Sequence, residues 1–371
     1  MIQVLNILTD SNIGGAGRCL INYLKNRDRT QFDVRVVLPR GSLLIPEVLA
    51  TDTPVIEADH IAERSFSKEG IAALKEIIRR EKPDIVHTHG SFSGRIAGRL
   101  CGCKVLYTRH SAFPVPGYLK KGPGHWLNGL VNSFFADQII AVSPATAENL
   151  TDSGVPARKI TIMMNGVEPL SPAPKVEQAA LRQELGIPDG VFTAGILARL
   201  EPYKGHMLLL EAAKELKAEG RDFRFLIGGS GSEEACIRAA IDEMDLKDKV
   251  LFLGFVRDVP QVLSILDAQL NCSYGTEASS IALIEGMSLG LATVASDYGG
   301  NPWQVEDGVT GLLFQSGSAR DLAEKIRVLM DEPEKRNAMR QTALNAYHSR
   351  FTGEIFAKNI ESVYLKTRNG K

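Results

Sequence analysis

Short, continuously apolar runs rich in Val and Ile recur along this chain, each followed by a longer segment of helical period, and the whole series occurs twice. Candidate strands of the first series cover residues 4–8, 34–38, 84–87, 105–108 and 138–142. Those of the second cover 192–198, 223–227, 250–253, 268–271 and 292–295. Helical patterns lie between them, at 16–24, 68–80, 206–218 and 281–289. A strand that is apolar on both sides must be covered on both faces, which is the situation of parallel sheets flanked by crossover helices. The expected class is α/β, with two parallel sheets.

Length agrees with that doubling, because 371 residues exceed what one ordinary core organises. Between the two series stands Pro169-Leu170-Ser171-Pro172-Ala173-Pro174, whose prolines can continue neither a sheet interior nor a helix. The expected division is a first domain over 1–168 and a second over 169–352. Residues 334–350 read as helical, and 353–366 read as a further amphipathic helix.

Composition excludes several classes of function. A formal net charge of −1 gives no global field to recruit nucleic acid or an anionic surface. No apolar stretch approaches the roughly 18 residues of a spanning helix, and the first eight residues read as a strand rather than a signal peptide. Five scattered cysteines, with only Cys101 and Cys103 close together, suit free thiols in a reducing cytoplasm better than a zinc site.

Open parallel sheets bind ligands beyond the carboxyl ends of their strands, so the loops there are where chemistry is sought. After the first strand, Gly14-Gly15-Ala16-Gly17-Arg18 opens a helix; Gly15 and Gly17 allow close backbone approach, and a helix N-terminus favours phosphate. The spacing is neither the dinucleotide fingerprint nor a P-loop, and a tight turn packing helix on strand explains it equally well. In the second half, Arg199 and Lys204 bracket a turn suited to a diphosphate, and Gly228-Gly229-Ser230-Gly231-Ser232 follows the next strand. Glu277-Ala278-Ser279-Ser280-Ile281 leads into a helix carrying Glu285, with Ser279 or Ser280 as its cap. Glu277 can accept from sugar hydroxyls and Glu285 can reach a ribose diol; a surface Glu at each end of an amphipathic helix is the plainer explanation.

Residues 277–287 followed by 290–300, together with Arg199-Leu200-Glu201-Pro202-Tyr203-Lys204-Gly205, Met164-Asn165-Gly166-Val167-Glu168 and Asp84-Ile85-Val86-His87-Thr88-His89, resemble the ordered motifs of the family 4 retaining glycosyltransferases. That resemblance implies the GT-B fold: two Rossmann-like domains with sheets facing across a cleft, and a C-terminal helix, here 353–371, crossing back to the first domain. It implies a hexosyltransferase-type enzyme that moves a sugar from a nucleotide-diphosphate sugar, UDP-linked by family habit, to a hydroxyl acceptor in envelope polysaccharide or glycolipid synthesis. Position by position, it gives Arg199 and Lys204 the diphosphate, Glu277 the donor sugar, Glu285 the ribose, and Gly254-Phe255-Val256 the base. Gly15 and Gly17 approach the phosphate or acceptor, Gly229 and the Ser279–Ser280–Ile281 turn belong to the donor site, and His110 holds the donor sugar. One departure is that Ala278, Ser279 and Ser280 stand where the family usually has Gly close after the first Glu, which bears on donor-sugar identity.

No Asp-x-Asp occurs, so neither metal nor other cofactor is expected, and the donor is a substrate. The segment 113–126 mixes apolar, aromatic and basic residues; it is read as a long acceptor loop or as a peripheral contact with the inner membrane face near a lipid-linked acceptor. The competing functions are a sugar-nucleotide epimerase on the same scaffold, for which no further acid/base set is identifiable, and a non-catalytic sugar- or nucleotide-binding protein, which would ordinarily be exported.

Overall fold

The computed structural model describes residues 1–369. The chain divides into two compact units, Met1–Glu168 joined by the C-terminal stretch from Phe351, and Pro169–Arg350.

In the first unit the strands are β1 (Ile2–Leu8), β2 (Phe32–Pro39), β3 (Val55–Ala58), β4 (Ile85–His89), β5 (Lys104–Arg109), β6 (Gln138–Ala141) and β7 (Ile160–Ile162). Among the described residues they form one sheet in the order β3-β2-β1-β4-β5-β6-β7, every pairing parallel. The second unit contains β8 (Phe192–Leu197), β9 (Phe223–Gly228), β10 (Val250–Gly254), β11 (Ala268–Asn271), β12 (Ala292–Ser296) and β13 (Gly311–Phe314). Their order is β10-β9-β8-β11-β12-β13, again parallel throughout. In each sheet the order reverses beside the first strand, between β1 and β4 and between β8 and β11. That reversal splays the connecting helices to opposite faces and leaves a crevice at the strands' carboxyl ends.

The doubled run of strands is as expected, while β3, β7 and β13 are additional. All three are edge strands of three or four residues. An edge strand needs less double-sided apolar character, so its periodicity is weak; β3, Val-Ile-Glu-Ala, and β7, Ile-Thr-Ile, carry little of it.

Central strands are buried on both faces. Leu5, Ile7, Val37 and Val86 lie in one core of the first unit, and Phe225, Ile227, Ala194 and Val294 lie in the main core of the second. Burying a side chain of this size stabilises by roughly 1.5–3 kcal/mol. Helix Lys68–Glu81 starts where Ser67 accepts from the Gly70 amide, and it stops where Lys82 turns left-handed.

The 334–350 pattern resolves into helix Pro333–Ala346 and a short wider turn, Tyr347–Phe351. Helix Gly353–Asn369 then packs within the first unit, where Tyr364 meets Tyr23 edge-on at 5.9 Å and Phe32 at 5.7 Å. Its Glu361 Oε1 accepts from the Asp28 amide at 2.7 Å. The segment 113–126, read as a loop, is largely helical: a turn at Gly117–Lys120 leads into helix Gly122–Phe135. Among the described residues no helix is long and apolar enough to cross a membrane.

Candidate active site

In the second unit, the loops after β8 and β11 flank the point where strand order reverses. The β8 loop carries Arg199 through Gly205. Gly205 sits at φ +76°, and a Cβ there would run into the Cys272 carbonyl, so glycine is required for this loop to lie against the end of β11. Arg199 is exposed and donates to the Tyr203 hydroxyl at 2.7 Å, with its guanidinium 5.9 Å from the Tyr203 ring centre. Lys204 turns the other way and donates from Nζ to Glu277 Oε2 at 2.8 Å.

Glu277 is only 5% exposed. A carboxylate so buried must be paired and hydrogen-bonded, because desolvation otherwise penalises its charge heavily. Three donors converge on Oε2: Lys204 Nζ, Ser273 Oγ at 3.0 Å and Asn271 Nδ2 at 3.3 Å. Behind them Asn271 Oδ1 accepts from the Ser273 amide at 3.1 Å and from Asn301 Nδ2 at 3.4 Å, and Asn301 also donates to Ser296 Oγ at 3.0 Å. The carboxyl ends of β11 and β12 therefore hold a buried polar network that includes Glu277, with Lys204 on its more exposed side.

Helix Ile281–Ser288 begins beside this network. Ser280 is its cap, accepting from the Leu283 amide at 3.4 Å, while the Ser280 amide donates to Gln304 Oε1 at 2.8 Å. Both Ser280 groups are thus engaged within the protein; Ser279 and Ile281 are half-buried beside it. Glu285 lies one turn into the helix and is half-buried.

The remaining donor-side candidates sit after β9 and β10. The Gly229 amide donates to the Gly254 carbonyl at 2.7 Å, which ties these two loops together. Phe255 is 69% exposed and Val256 is half-buried against Gly228. Tyr203, Asn271, Ser273, Asn301 and Gln304 were not identified from sequence. The available signal was a strand end, Asn271-Cys272-Ser273, that turns polar while still buried.

The first unit holds a second constellation. His89, at the end of β4, contacts Asn6 of β1 and His110 after β5. His89 Nε2 is 3.0 Å from Asn6 Oδ1, and His89 Nδ1 is 2.9 Å from His110 Nε2. With Asn6 Oδ1 accepting from His89 Nε2–H, His89 Nδ1 must accept, so His110 donates from Nε2 and its Nδ1 is an acceptor. The rings of His89 and His110 stack at 5.2 Å. His87 bonds to Tyr364 Oη at 2.8 Å and to Thr108 Oγ1 at 2.7 Å.

Burial pushes all three imidazoles down: His87 to about 3, His110 to about 4, and His89 well below the usual value. All are neutral near pH 7. His110 also lines a wide pocket with Asp10, Arg95, Tyr107, Arg109 and Phe113. Gly15 opens helix Gly15–Asn26 with free space around it. Gly17 is buried, and the Leu44 side chain occupies the position its Cβ would take. Close packing accounts for glycine there.

Residues 177–346 match the family model described as glycosyl transferases group 1, and 13–169 match glycosyltransferase family 4. Among curated proteins, EpsD of Bacillus subtilis (strain 168) is 28% identical over 82% of this chain and 84% of the relative. The UDP-Gal:alpha-D-GlcNAc-diphosphoundecaprenol alpha-1,3-galactosyltransferase of Escherichia coli is 28% identical over 85% of this chain and 84% of its own length. Among solved structures, Alr3699/HepE of Anabaena, in complex with UDP and glucose, superposes with a TM-score of 0.83 at 23% identity, covering 99% of this chain and all of the other. A glycosyltransferase from Rickettsia africae superposes at 0.85 with 20% identity, covering 99% and 98%. These likenesses identify the fold as GT-B, and they lend nothing to the epimerase alternative.

Proposed function

The chain belongs to the group 1, family 4 glycosyltransferases, and on that premise we propose that it transfers a hexose from UDP to a hydroxyl of a lipid-linked or carbohydrate acceptor, with retention at the anomeric carbon and without a metal. The observation that carries this reading is the buried Glu277, held by Lys204 at the reversal point of the second sheet, beside a Ser280-capped helix. A charged carboxylate next to a cation, at the crevice where such sheets bind ligands, suits a sugar diphosphate. A relative with UDP-Gal in its name and a structural neighbour holding UDP and glucose support the choice of base.

In this proposal Arg199 and Lys204 neutralise the diphosphate as its bond to the anomeric carbon breaks. The acceptor oxygen bonds to that carbon from the same face, and its proton passes to the departing phosphate oxygen. Glu277 takes a sugar hydroxyl on Oε1, which none of its three internal donors uses, and Glu285 takes the ribose. The Gly254-Phe255-Val256 turn contacts the base. The Ser279 and Ile281 amides face phosphate, with Gly229 lining the donor site. His110 accepts a hydroxyl proton on Nδ1, the atom its bond to His89 leaves available. Gly15, at an open helix start, approaches the phosphate or acceptor; Gly17 supports that turn. The wide pocket of the first unit receives the acceptor, and transfer takes place at the cytoplasmic face of a membrane.

Thermal melts with UDP, GDP, ADP, CDP and dTDP, each with magnesium and with a chelator, test the donor half. Stabilisation by UDP alone, equal under both conditions, is expected. Stabilisation by a different base, or only with magnesium, would replace the corresponding part of the proposal.

A further inference from the structure

Helix Gly122–Phe135 is inside out. Pro123, Trp126, Leu127, Leu130 and Phe134 fall on one stripe at helical spacing, and that stripe faces away from the protein. Trp126 is 66% exposed, Leu127 56%, Leu130 46% and Phe134 62%. The polar side chains are the ones turned inward. His125 Nδ1 lies 3.1 Å from the Leu119 carbonyl and 3.2 Å from the Asp152 carbonyl. Asn128 Nδ2 donates to the Ser153 carbonyl, and Asn132 Oδ1 accepts from Arg95 at 3.0 Å. Gly129, the buried residue of the helix, rests against the backbone of Gly154. A helix seated by polar bonds, with its apolar stripe outward, is stable in water only at the expense of hydrated apolar surface, and such a surface marks a contact.

Charge identifies the partner. Between Asp84 and Asp137 the sequence contains no acidic residue; of the cations in that stretch Arg95 is buried, Arg99 and Lys104 meet Asp137, and Lys120 and Lys121 are the exposed pair beside the helix. Lys120 and Lys121 are exposed and lie immediately before the apolar stripe. Arg99 donates to the Phe134 carbonyl at 2.7 Å and lies 5.9 Å from its ring centre. Asp137, the carboxylate that closes the acid-free stretch, is paired with Arg99 at 3.2 Å. We infer that this helix lies flat in the interface of a bilayer rich in anionic phospholipid, with Trp126, Leu127, Leu130 and Phe134 among the acyl chains and Lys120 and Lys121 at the headgroups. At 14 residues the helix is too short to span, so it lies along the surface. The inference deepens the lipid-linked acceptor reading and draws its biological sense from it: Asn128, Val131 and Asn132 of this helix line the acceptor pocket, so the anchor would hold that pocket against the membrane.

The test is flotation of the full-length protein with phosphatidylcholine vesicles, with and without phosphatidylglycerol, at low and high salt. Flotation is expected with the anionic vesicles only and should weaken with salt. The Trp126→Ser/Leu130→Ser double variant should lose about tenfold in partitioning, with Lys120→Glu/Lys121→Glu as a second variant that leaves the apolar stripe intact. In a Trp303→Phe background, Trp126 emission should shift to the blue on binding. Circular dichroism and the melting shift with UDP are measured alongside, and neither should change. Failure of the wild-type protein to float with anionic vesicles would overturn the inference, as would variants that float like wild type. A wild-type dimer made monomeric by the double variant, without vesicle binding, would assign the face to self-association instead. Loss of the UDP shift in the wild-type protein would count against the donor reading and leave the anchor standing.

Discussion

Acidification should weaken the first unit more than the second. His87 sits at about 3, His110 at about 4 and His89 well below the usual value, all through burial. In the unfolded chain each returns to about 6.5. The folded pKa values are depressed, so the unfolded state binds more protons once pH drops below about 6.5. Stability from these groups is therefore complete above that pH and is lost as pH falls, down to the folded values of about 4 for His110 and about 3 for His87. Each histidine that stays neutral costs about 1.4 kcal/mol per pH unit, hence about 2 kcal/mol at pH 5, and three together about 6 kcal/mol. At 2–4 °C per kcal/mol for a unit of this size, the melting point of the first unit should fall by roughly 10 °C or more between pH 7 and pH 5. The second unit contains one comparable group, His206, lowered to about 4 mainly by burial, and should lose about a third as much. Calorimetry across this pH range, with limited proteolysis to assign the two transitions, measures both. His110→Asn should reduce the pH slope of the first transition by one proton. Equal shifts in the two units, or imidazole NMR signals of His87, His89 or His110 titrating near 6.5, would refute the reasoning.

Three further expectations concern the same sites. Lys204→Met leaves Glu277 buried without its cation and should destabilise the second unit by about 3 kcal/mol, with Lys204→Met/Glu277→Gln recovering most of that in thermal melts. Both single variants, Lys204→Met and Glu277→Gln, should lower the transfer rate by about 10²–10³-fold. Tyr364→Phe removes the hydroxyl bonded to His87 and should cost about 1–3 kcal/mol in melting of the first unit, without changing the shift produced by UDP. Gly205→Ala places a Cβ against the Cys272 carbonyl at a left-handed φ, so destabilisation beyond about 1 kcal/mol is expected, together with weaker nucleotide binding in titration calorimetry.

The parts of this molecule that were legible in its sequence are those dictated by burial on both faces. Central strands such as Ile2–Leu8 and Phe223–Gly228 announce themselves because each must be apolar throughout. The short edge strands Val55–Ala58 and Ile160–Ile162 do not, since each is only partly buried and carries little apolar pattern. Arg199, Lys204 and Glu277 were visible as residue types at strand ends, yet their partners were not: that Lys204 bonds Glu277 while Arg199 bonds Tyr203 depends on how Gly205 folds the loop against Cys272. The outward stripe of helix Gly122–Phe135 was legible only as a mixture of aromatic and basic residues. Which face of an amphipathic helix is buried is decided by its neighbours, and here Asn128, Asn132 and His125 find backbone carbonyls and Arg95 beneath them.

The two polar clusters answer the same physical problem in opposite ways. Glu277 is buried with Lys204, Ser273 and Asn271 all bonded to one of its oxygens. A ligand phosphate that drew Lys204 toward itself would leave the carboxylate with its neutral donors, and a sugar hydroxyl on the other oxygen would restore what was lost. In the proposed mechanism, binding of diphosphate and of sugar would then be coupled through one side chain. The histidines are buried without carboxylate partners, so they are held neutral, and each ring nitrogen's role is fixed by its neighbour: Asn6 sets His89, and His89 sets His110. A neutral imidazole with a fixed acceptor nitrogen can orient a hydroxyl without competing for the charge of the leaving diphosphate. In the proposed mechanism the second unit meets the charge of the donor through Arg199 and Lys204, and the histidines of the first supply neutral polar contacts, each set at the carboxyl end of a parallel sheet.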